Sequence, residues 1–329
     1  ELKPDGLGAL VLDFDVVVGA LPSVLGFQVL ERVIQAGKPY CDISFMPEDF
    51  LELNGLAAQR GVSAVVDCGV APGLANWCIG HAAAELDSME RAVYYVGGLP
   101  RERSWPFEYK APFAPYDVLE EYTRPVRQRI GGQELVRPAL SDPEPFDLEG
   151  VGRLEAFNTD GLRSLLKTID APTLWEKTLR YPAHAELMRV FAHTGLLSEE
   201  PLELADGQKV RPRDLCARLL FPHWQLDTGE AEFTALRVEA QGLRNGKPTR
   251  MLAELFDDGD AESGQSSMAR TTGFPCAIVA RWLAEGVELG AGVLPPERLG
   301  MRPELTRRML EELSRRGVQL KIRFEELAG

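Results

Sequence analysis

The fold is decided by the stretch from Asp15 to Cys68, which reads DVVVGALPSVLGFQVLERVIQAGKPYCDISFMPEDFLELNGLAAQRGVSAVVDC. It opens with a short apolar run that ends at Leu21-Pro22, as a fully buried parallel strand does. Apolar residues then recur at helical spacing from Val24 to Ala36, and Gly37 stands where a C-terminal cap belongs. These residues predict a buried strand followed by an amphipathic helix.

The same alternation continues to Cys68. Pro39 to Ser44 reads as a second strand and Pro47 to Arg60 as a second helix, which Gly61 stops. Val62 to Cys68 is the third buried strand. The order β-α-β-α-β builds a doubly wound parallel sheet with right-handed crossovers, so we predict an α/β fold.

After Gly73 the pattern becomes that of a second, more antiparallel α+β domain. The predicted elements are a helix at 74–85, a strand at 91–97, a loop rich in Pro, Trp and Tyr at 100–125, a strand at 153–158, a hairpin of strands 234–239 and 250–255, and helices at 269–285 and 304–316.

Composition narrows the class of protein. The 329 residues are 45% hydrophobic and 26% charged, which suits a globular protein of two domains. The formal charge of −14 argues against nucleic acid and acidic membranes as partners. No apolar run reaches the roughly 18 to 20 residues of a membrane span, and residues 1–20 do not have the pattern of a secretory signal. We expect a cytoplasmic protein.

Cysteine and histidine give no metal-binding pattern. The five cysteines are odd in number and scattered, and the four histidines have no ligand spacing. We expect buried or pocket-lining thiols and no metal. The cysteines are Cys41, Cys68, Cys78, Cys216 and Cys276.

Three stretches carry a family resemblance through their order and spacing. They read VVDCGVAPGLAN at 65–76, EAFNTDGLRS at 155–164 with EKTLRY at 176–181, and MARTTGFP at 268–275. Together they resemble the saccharopine dehydrogenase and L-lysine 6-dehydrogenase family over nearly the whole chain, from Asp15 to about Glu312. The Asp-Gly-Leu-Arg sequence at 160–163 is closer to lysine 6-dehydrogenase than to saccharopine reductase.

The resemblance implies a Rossmann-type sheet with an inserted α+β domain for substrate binding and dimerisation. Residues 1–72 plus 268–329 would form the cofactor domain and 73–267 the substrate domain. Such a domain opens with a Gly-rich turn that holds the pyrophosphate of NAD or NADP. No GxGxxG occurs in this sequence, so we expect the N-terminal part of the Rossmann domain to be missing and dinucleotide to bind poorly. The choice between NAD and NADP stays open.

The resemblance also implies the reaction. Hydride would leave the carbon that bears an amine, and water would hydrolyse the resulting imine. We expect L-lysine to be oxidised at its ε-carbon to 2-aminoadipate 6-semialdehyde. Saccharopine or carboxynorspermidine dehydrogenase is the alternative, and their larger substrates predict a further Arg or Lys in the pocket. A non-catalytic scaffold or binding protein with a lost cofactor site is the alternative of another class, and by analogy the chain forms a homodimer.

Candidate cofactor residues follow from the geometry of open α/β sheets, whose ligands bind at the C-terminal ends of the strands. The predicted cofactor-binding residues are Leu21, Pro22, Ser23, Cys41, Asp42, Ser44, Cys68, Gly69 and Gly73. Asp67 also stands at a strand end, where it is either a catalytic group that contacts the nicotinamide or the substrate amine, or a helix N-cap.

Candidate substrate residues come from the second domain. If a helical turn begins at Asp160, Arg163 shares its face, so that Asp160 would pair with the substrate ammonium as a catalytic residue and Arg163 with its carboxylate. A capping Asp beside a surface Arg is the alternative. Arg180, flanked by apolar residues, either binds substrate or forms a buried ion pair.

The loop at 100–125 offers a further set of substrate-binding candidates, namely Arg124, Tyr122 and Trp105. Its aromatic residues would form a wall that shields the reaction from water. Plain packing of a long loop is the alternative reading.

Overall fold

The computed structural model describes residues 4–111, 115–227, 229–260 and 262–327. Its helices are α1 (Pro4–Leu10), α2 (Ser23–Gln35), α3 (Asn54–Arg60), α4 (Leu74–Glu85), α5 (Pro115–Glu121), α6 (Leu165–Thr168), α7 (His184–His193), α8 (Pro212–Trp224), α9 (Ser267–Ala284), α10 (Pro296–Gly300) and α11 (Pro303–Arg315), with a 3-10 turn at Phe50–Leu53. Its strands are β1 (Val17–Gly19), β2 (Tyr40–Asp42), β3 (Ser63–Val65), β4 (Ser88–Pro100), β5 (Val126–Ile130), β6 (Gln133–Arg137), β7 (Glu144–Leu148), β8 (Gly152–Asn158), β9 (Thr173–Arg180), β10 (Leu202–Glu203), β11 (Lys209–Val210), β12 (Glu232–Arg244), β13 (Lys247–Asp257), β14 (Gly292–Leu294) and β15 (Leu320–Glu326).

The predicted parallel sheet is present, with strand order β1-β2-β3-β14 and every pairing parallel. The predicted Rossmann-type α/β class is thereby confirmed. Each strand is only three residues long, shorter than predicted, because the residues after it leave the sheet to form loops at its C-terminal edge. The helix predicted from Pro47 begins at Asn54 instead, since the Asp49 carboxylate accepts the Leu51 N–H and starts a 3-10 turn first.

A nine-stranded sheet forms the second layer. Its main path is β15-β13-β12-β4-β9-β5-β6, and β8 and β7 join it beside β9. All its pairings are antiparallel except that of β4 with β9. The predicted hairpin is confirmed as β12 and β13, joined by Asn245-Gly246 with both φ angles positive, which is the geometry of a two-residue hairpin turn.

The predicted division into 1–72 plus 268–329 and 73–267 stays a prediction, and two features cross it. Strand β15 pairs with β13 in the large sheet, although it lies in the C-terminal range assigned to the cofactor domain. Helix α4 packs closely on α10: a Cβ placed on Gly80 would lie 2.0 Å from the Glu297 carbonyl oxygen, so only glycine permits this approach.

One hydrophobic core joins the two sheets. It contains Val65 of the parallel sheet, Ala92 and Leu236 of the large sheet, and Trp77 and Trp282 of the helices between them. Because this core is shared, the C-terminal ends of the parallel strands are held at a fixed position opposite β4 and β9.

Several helices fall in the segments that showed no clear periodicity. Helix α5 lies within the stretch expected to be a loop, and α7 and α8 follow it in the same layer. Met188 of α7, Trp224 of α8 and Tyr122, which follows α5, are buried in a second core against β8 and β9. Among the described residues, no helix is long and apolar enough to cross a membrane.

Candidate active site

A cavity of about 550 Å3 lies between the C-terminal ends of the parallel strands and the face of β4 and β9. One wall is nearly uncharged and the other carries most of the ionisable groups. The wall on the side of the parallel sheet is lined by Ala20, Leu21, Pro22, Ile43, Phe45, Gly69, Val70, Ala71, Pro72, Met268, Ala269, Thr272 and Gly273. The opposite wall is lined by Tyr94, Val96, Gly97, Gly98, Asp117, Glu121, Arg124, Thr159, Asp160, Gly161, Glu176, Thr178 and Arg180.

Of the predicted cofactor residues, the cavity is lined by Leu21, Pro22 and Gly69. Asp42 and Ser44 lie behind this wall and order it. The Asp42 carboxylate accepts hydrogen bonds from the Tyr40 hydroxyl (2.6 Å), the Ser44 N–H (2.7 Å) and the Ser44 hydroxyl (2.9 Å), and Ser44 Oγ accepts the Leu21 N–H (3.1 Å). Burial raises the pKa of Asp42 to about 7.

The predicted cofactor residues Cys41, Cys68, Ser23 and Gly73 are not among the lining residues of the cavity. Cys41 and Cys68 are buried in the core, as are the other three cysteines, which confirms the expectation of buried thiols. The Ser23 hydroxyl donates to Asp117 Oδ1 (3.1 Å), and the Gly73 N–H, at the start of α4, donates to the Asn76 side chain (3.2 Å). Within the described ranges, no group of three or more His, Cys, Asp or Glu side chains is placed to hold a metal ion.

Asp67 and Arg163 form a buried ion pair. Arg163 Nε lies 2.9 Å from Asp67 Oδ2 and Nη2 lies 3.3 Å from Oδ1, and the two side chains are 0% and 3% exposed. The guanidinium also stands over the rings of Phe45 and Phe50. Neither member of the pair is among the residues that line the cavity, and the pair joins the two layers. The predicted contacts of Asp67 and Arg163 with cofactor and substrate stay predictions.

The expected helical turn at 160–163 is wrong. Arg163 has a φ of 55°, which no helical turn contains, and α6 begins only at Leu165. Asp160 and Arg163 therefore do not share a face. Asp160 lines the cavity, as predicted for a catalytic residue, but the guanidinium of Arg127 binds it through Nε (3.1 Å) and Nη2 (2.8 Å), and the Arg127 N–H donates to it as well.

Arg180 lines the cavity with all three guanidinium nitrogens engaged. Nη2 donates to Glu121 (3.0 Å), Nη1 to the Leu179 carbonyl (2.9 Å) and Nε to the Tyr122 hydroxyl (3.2 Å). Tyr122 in turn lies 2.8 Å from His184 Nε2, and burial lowers the pKa of His184 to about 3, so that this histidine stays neutral. Tyr122 thus orients Arg180 from behind the cavity and is not one of its lining residues.

Arg124 is the predicted substrate residue with a free donor. Its Nη2 pairs with Glu120, and its guanidinium stands 4.6 Å from the centre of the Phe45 ring. Its Nη1 is buried and has no hydrogen-bond partner among the described residues. Arg124 also lines the cavity, and an anionic ligand there could supply the partner that Nη1 lacks once the guanidinium turns toward it.

The structure does not bring Trp105 to the cavity. Trp105 is 88% exposed, whereas Phe107 is half-buried and Tyr109 is buried. Phe107 and Tyr109 pack edge-to-face on Trp224 of α8. Phe107 and Tyr109 therefore pack against α8, as the alternative interpretation expected, and Phe45 is the aromatic ring that lines the cavity next to Arg124.

Sequence reasoning missed the most deeply buried acid of the cavity, Glu176 of β9. Its Oε1 accepts hydrogen bonds from the Thr159 hydroxyl (2.8 Å) and the Gly161 N–H (2.7 Å). Burial raises the pKa of this carboxyl well above its ordinary value. The available signal was a glutamate in the middle of EKTLRY, a stretch quoted only for its family resemblance.

The sequence Asn-Thr-Asp-Gly-Leu-Arg at 158–163 now has a physical explanation, because nearly every member makes a separate contact. Thr159 and Gly161 hold Glu176, Asp160 holds Arg127, and Arg163 holds Asp67. The Gly161 carbonyl accepts the hydroxyl of Tyr94 at 2.6 Å. A Cβ on Gly161 would lie 2.7 Å from that hydroxyl and 2.9 Å from the Glu176 carboxyl, so glycine alone fits between them.

The uncharged wall fits the nicotinamide end of a dinucleotide. It consists of strand-end loops and of α9, where a Cβ on Gly273 would meet open space, so a flat ring has room beside the helix. Leu21, Pro22 and Gly69 would contact this ring. The Gly-rich turn that holds a pyrophosphate is not found in the sequence, so the fit concerns the nicotinamide end alone.

Comparison with known proteins agrees with this geometry. Residues 69–318 match the family described as the saccharopine dehydrogenase C-terminal domain. The chain is 25% identical to carboxynorspermidine synthase of Vibrio cholerae, over 88% of this chain and 74% of that protein. It is 22% identical to the NADP(+)-dependent, L-glutamate-forming saccharopine dehydrogenase of Pyricularia oryzae, over 96% and 85%.

Two further comparisons show a partial match in length and a similar fold at low sequence identity. The chain matches mitochondrial alpha-aminoadipic semialdehyde synthase of Mus musculus at 27% identity, over 59% of this chain and about a fifth (22%) of that protein. The apo structure of the L-Glu-forming saccharopine dehydrogenase from Saccharomyces cerevisiae shares its fold, with a TM-score of 0.76 and 19% identity over 98% of this chain and 87% of that one. The chain belongs to the saccharopine dehydrogenase family of oxidoreductases, and the match is to the C-terminal domain of that family.

Proposed function

We propose that this protein is an NAD(P)-dependent dehydrogenase that oxidises the C–N bond of an amino acid with one carboxylate and more than one amine. L-lysine is the first candidate, oxidised at its ε-carbon to 2-aminoadipate 6-semialdehyde. The observation that carries the proposal is the charge pattern of the cavity, which combines an excess of carboxyl groups with a single free guanidinium donor.

The carboxyl groups that line the cavity outnumber the guanidinium groups. They are Asp117, Glu121, Asp160 and Glu176, against Arg124 and Arg180. A site of this kind favours cationic ligand groups, because a substrate ammonium gains a charge-assisted hydrogen bond to a carboxylate. An additional substrate carboxylate would instead be repelled.

Among the described residues of the cavity wall, one place is suited to a carboxylate. The nitrogens of Arg180 already have partners, whereas Arg124 Nη1 is buried without one. A ligand carboxylate that reaches Nη1 satisfies this donor, whose burial without a partner costs about 1 to 3 kcal/mol. Saccharopine, with three carboxylates, would leave two of them without an arginine, so the pocket favours a substrate with one.

Each wall of the cavity would have its own role in binding. Arg124 binds the α-carboxylate, and the acids of the opposite wall bind the α-ammonium and the reacting amine. Leu21, Pro22 and Gly69 hold the nicotinamide ring against the substrate carbon. The dinucleotide, when bound, supplies the hydride acceptor. The shared core of the two sheets supports this proposal, because it keeps the two walls at a fixed separation.

A second candidate substrate is carboxynorspermidine. It has one carboxylate and additional amines, so it satisfies the same charge pattern, and the Vibrio relative named for it aligns with 88% of this chain. A non-catalytic binding protein is the alternative of another class, supported by the absence of GxGxxG from the sequence.

The test is reduction of NAD+ and NADP+ by the full-length protein, followed at 340 nm, with L-lysine, carboxynorspermidine, saccharopine and L-ornithine. Turnover of L-lysine with release of ammonia is expected. Turnover of carboxynorspermidine alone would select the second candidate, and turnover of saccharopine alone would contradict the charge argument. A folded protein that reduces neither dinucleotide with any of the four would favour the non-catalytic alternative.

A further inference from the structure

Glu176 combines three features that a purely structural residue does not need together. It is buried, it lines the cavity, and both hydrogen bonds to its carboxyl reach the same oxygen, Oε1. Neither bond uses Oε2. The hydroxyl of Thr159, which donates to Oε1, is itself 2.7 Å from that of Thr178, another lining residue, so a chain of hydroxyls runs from the carboxyl along the cavity wall.

We propose that Glu176 accepts the proton of the reacting amine, an inference that rests on the proposed function. The substrate ammonium gives one proton to Glu176 Oε2 and keeps the electron pair of that N–H bond. The pair then forms the C=N bond while the adjacent carbon gives up a hydrogen with its two electrons to NAD(P)+, the oxidant. The substrate becomes an iminium ion and Glu176 the neutral acid, so atoms and charges balance.

The surroundings of Glu176 suit this role. Asp160, Glu121 and the Tyr94 hydroxyl face it, and the nearest cations of the cavity, Arg180 and Arg124, already pair with other carboxylates. Burial together with the like charges of Asp160 and Glu121 holds the pKa of Glu176 well above its ordinary value. A raised pKa makes this carboxylate a stronger base than an ordinary glutamate, which favours general base catalysis.

A buried glutamate that does not line the cavity serves as a comparison for Glu176. Glu297 is the closest match: it is buried, its Oε1 accepts the Thr168 hydroxyl (2.6 Å), and burial raises its pKa. It is not among the residues that line the cavity. Glu297→Gln is therefore a matched control for Glu176→Gln, and Gln at position 176 keeps an acceptor oxygen for Thr159 and Gly161.

The experiment measures the protons released when L-lysine binds the purified protein at pH 7, by calorimetry in two buffers of different ionisation enthalpy. The wild type is expected to release protons when lysine binds, because the bound ammonium favours the ionised form of Glu176. Glu297→Gln should release the same amount, whereas Glu176→Gln should bind lysine and release almost none. The turnover number of Glu176→Gln should fall by about 10²- to 10⁴-fold.

The inference is overturned if Glu176→Gln releases protons as the wild type does, or if its turnover stays within about threefold of the wild type. If Glu176→Gln fails to fold, the same measurement is made on the wild type with L-norleucine, which has no ε-amine. L-norleucine should bind without proton release. Proton release equal to that caused by lysine would overturn the inference. If the wild type binds neither lysine nor carboxynorspermidine, the proposed function itself has failed, and this inference with it.

Discussion

The buried ion pair between Asp67 and Arg163 gives the sharpest stability prediction. Asp67→Asn removes the negative charge and leaves the Arg163 guanidinium, 3% exposed, without a counter-charge. Removal of one partner of a buried pair costs about 3 to 5 kcal/mol. Asparagine keeps an acceptor for Arg163 and tolerates the φ of 53° at this position, so the loss should lie near the lower end of that range, at about 3 kcal/mol.

The assay is unfolding by urea, followed by circular dichroism. With a slope of about 2 to 3 kcal/mol per molar urea, a loss of about 3 kcal/mol moves the midpoint down by about 1 to 1.5 M. Asp147→Asn is the matched control, since the Asp147–Arg153 pair has the same two-bond geometry (2.9 and 3.1 Å) but its side chains are 70% and 65% exposed. Solvent screens that pair, so its midpoint should not move.

The outcome also separates a structural from a catalytic Asp67. A structural ion pair predicts lower stability, with turnover that recovers wherever the variant remains folded. If Asp67→Asn unfolds at the wild-type urea concentration and yet loses turnover, the reasoning from the ion pair is refuted, and the role of Asp67 at the nicotinamide or the substrate amine is the better account.

Three further predictions follow from contacts around the cavity. Gly161→Ala places a methyl group within 3 Å of the Tyr94 hydroxyl and the Glu176 carboxyl. The substitution should lower the free energy of unfolding in urea by about 1 to 3 kcal/mol and should lower turnover. An unchanged urea midpoint would contradict the close packing around Gly161. Arg124→Gln should raise the KM for L-lysine by about 10- to 100-fold and leave the KM for cadaverine, which has no carboxylate, nearly unchanged. Equal changes in the two KM values would count against Arg124 as the residue that binds the carboxylate. The pKa of Asp42 is raised from 3.8 to about 7 in the folded state, so the folded protein binds the Asp42 proton more tightly than the unfolded chain does. This contribution to stability is lost as the pH rises from about 4 to 7. Asp42→Asn should therefore flatten the fall in unfolding free energy between those pH values, and an unchanged pH slope would show that Asp42 is not responsible.

The parallel sheet could be predicted from the sequence because local patterns specify it. Its first three strands lie in short, mostly apolar runs and its first helix is amphipathic, so periodicity locates them, whereas β14 was not predicted. Helix α4 has the predicted bounds of Leu74–Glu85. Strand β9 could not be recognised in this way. It contains the charged residues Glu176 and Lys177, whose buried partners, the Gly161 N–H and the Asp142 carbonyl, are not visible in the sequence.

The site was predictable only as far as the strand ends. The edge that holds Leu21, Pro22 and Gly69 follows from the topology of any open α/β sheet. Which charges pair with each other depends on contacts far apart in sequence, such as Asp67 with Arg163, 96 residues away. Sequence spacing suggested that Arg163 would act with Asp160, since both lie in one short stretch, and the positive φ of Arg163 was not visible in the sequence.

The central claim is that the cavity recognises one carboxylate and an additional amine. Calorimetric binding of L-lysine, compared with L-norleucine, tests it most directly, because the two differ only at the ε-position. The charge pattern predicts that lysine binds at least about tenfold more tightly than norleucine. Equal affinity for the two amino acids, or tighter binding of saccharopine than of lysine, would contradict the account.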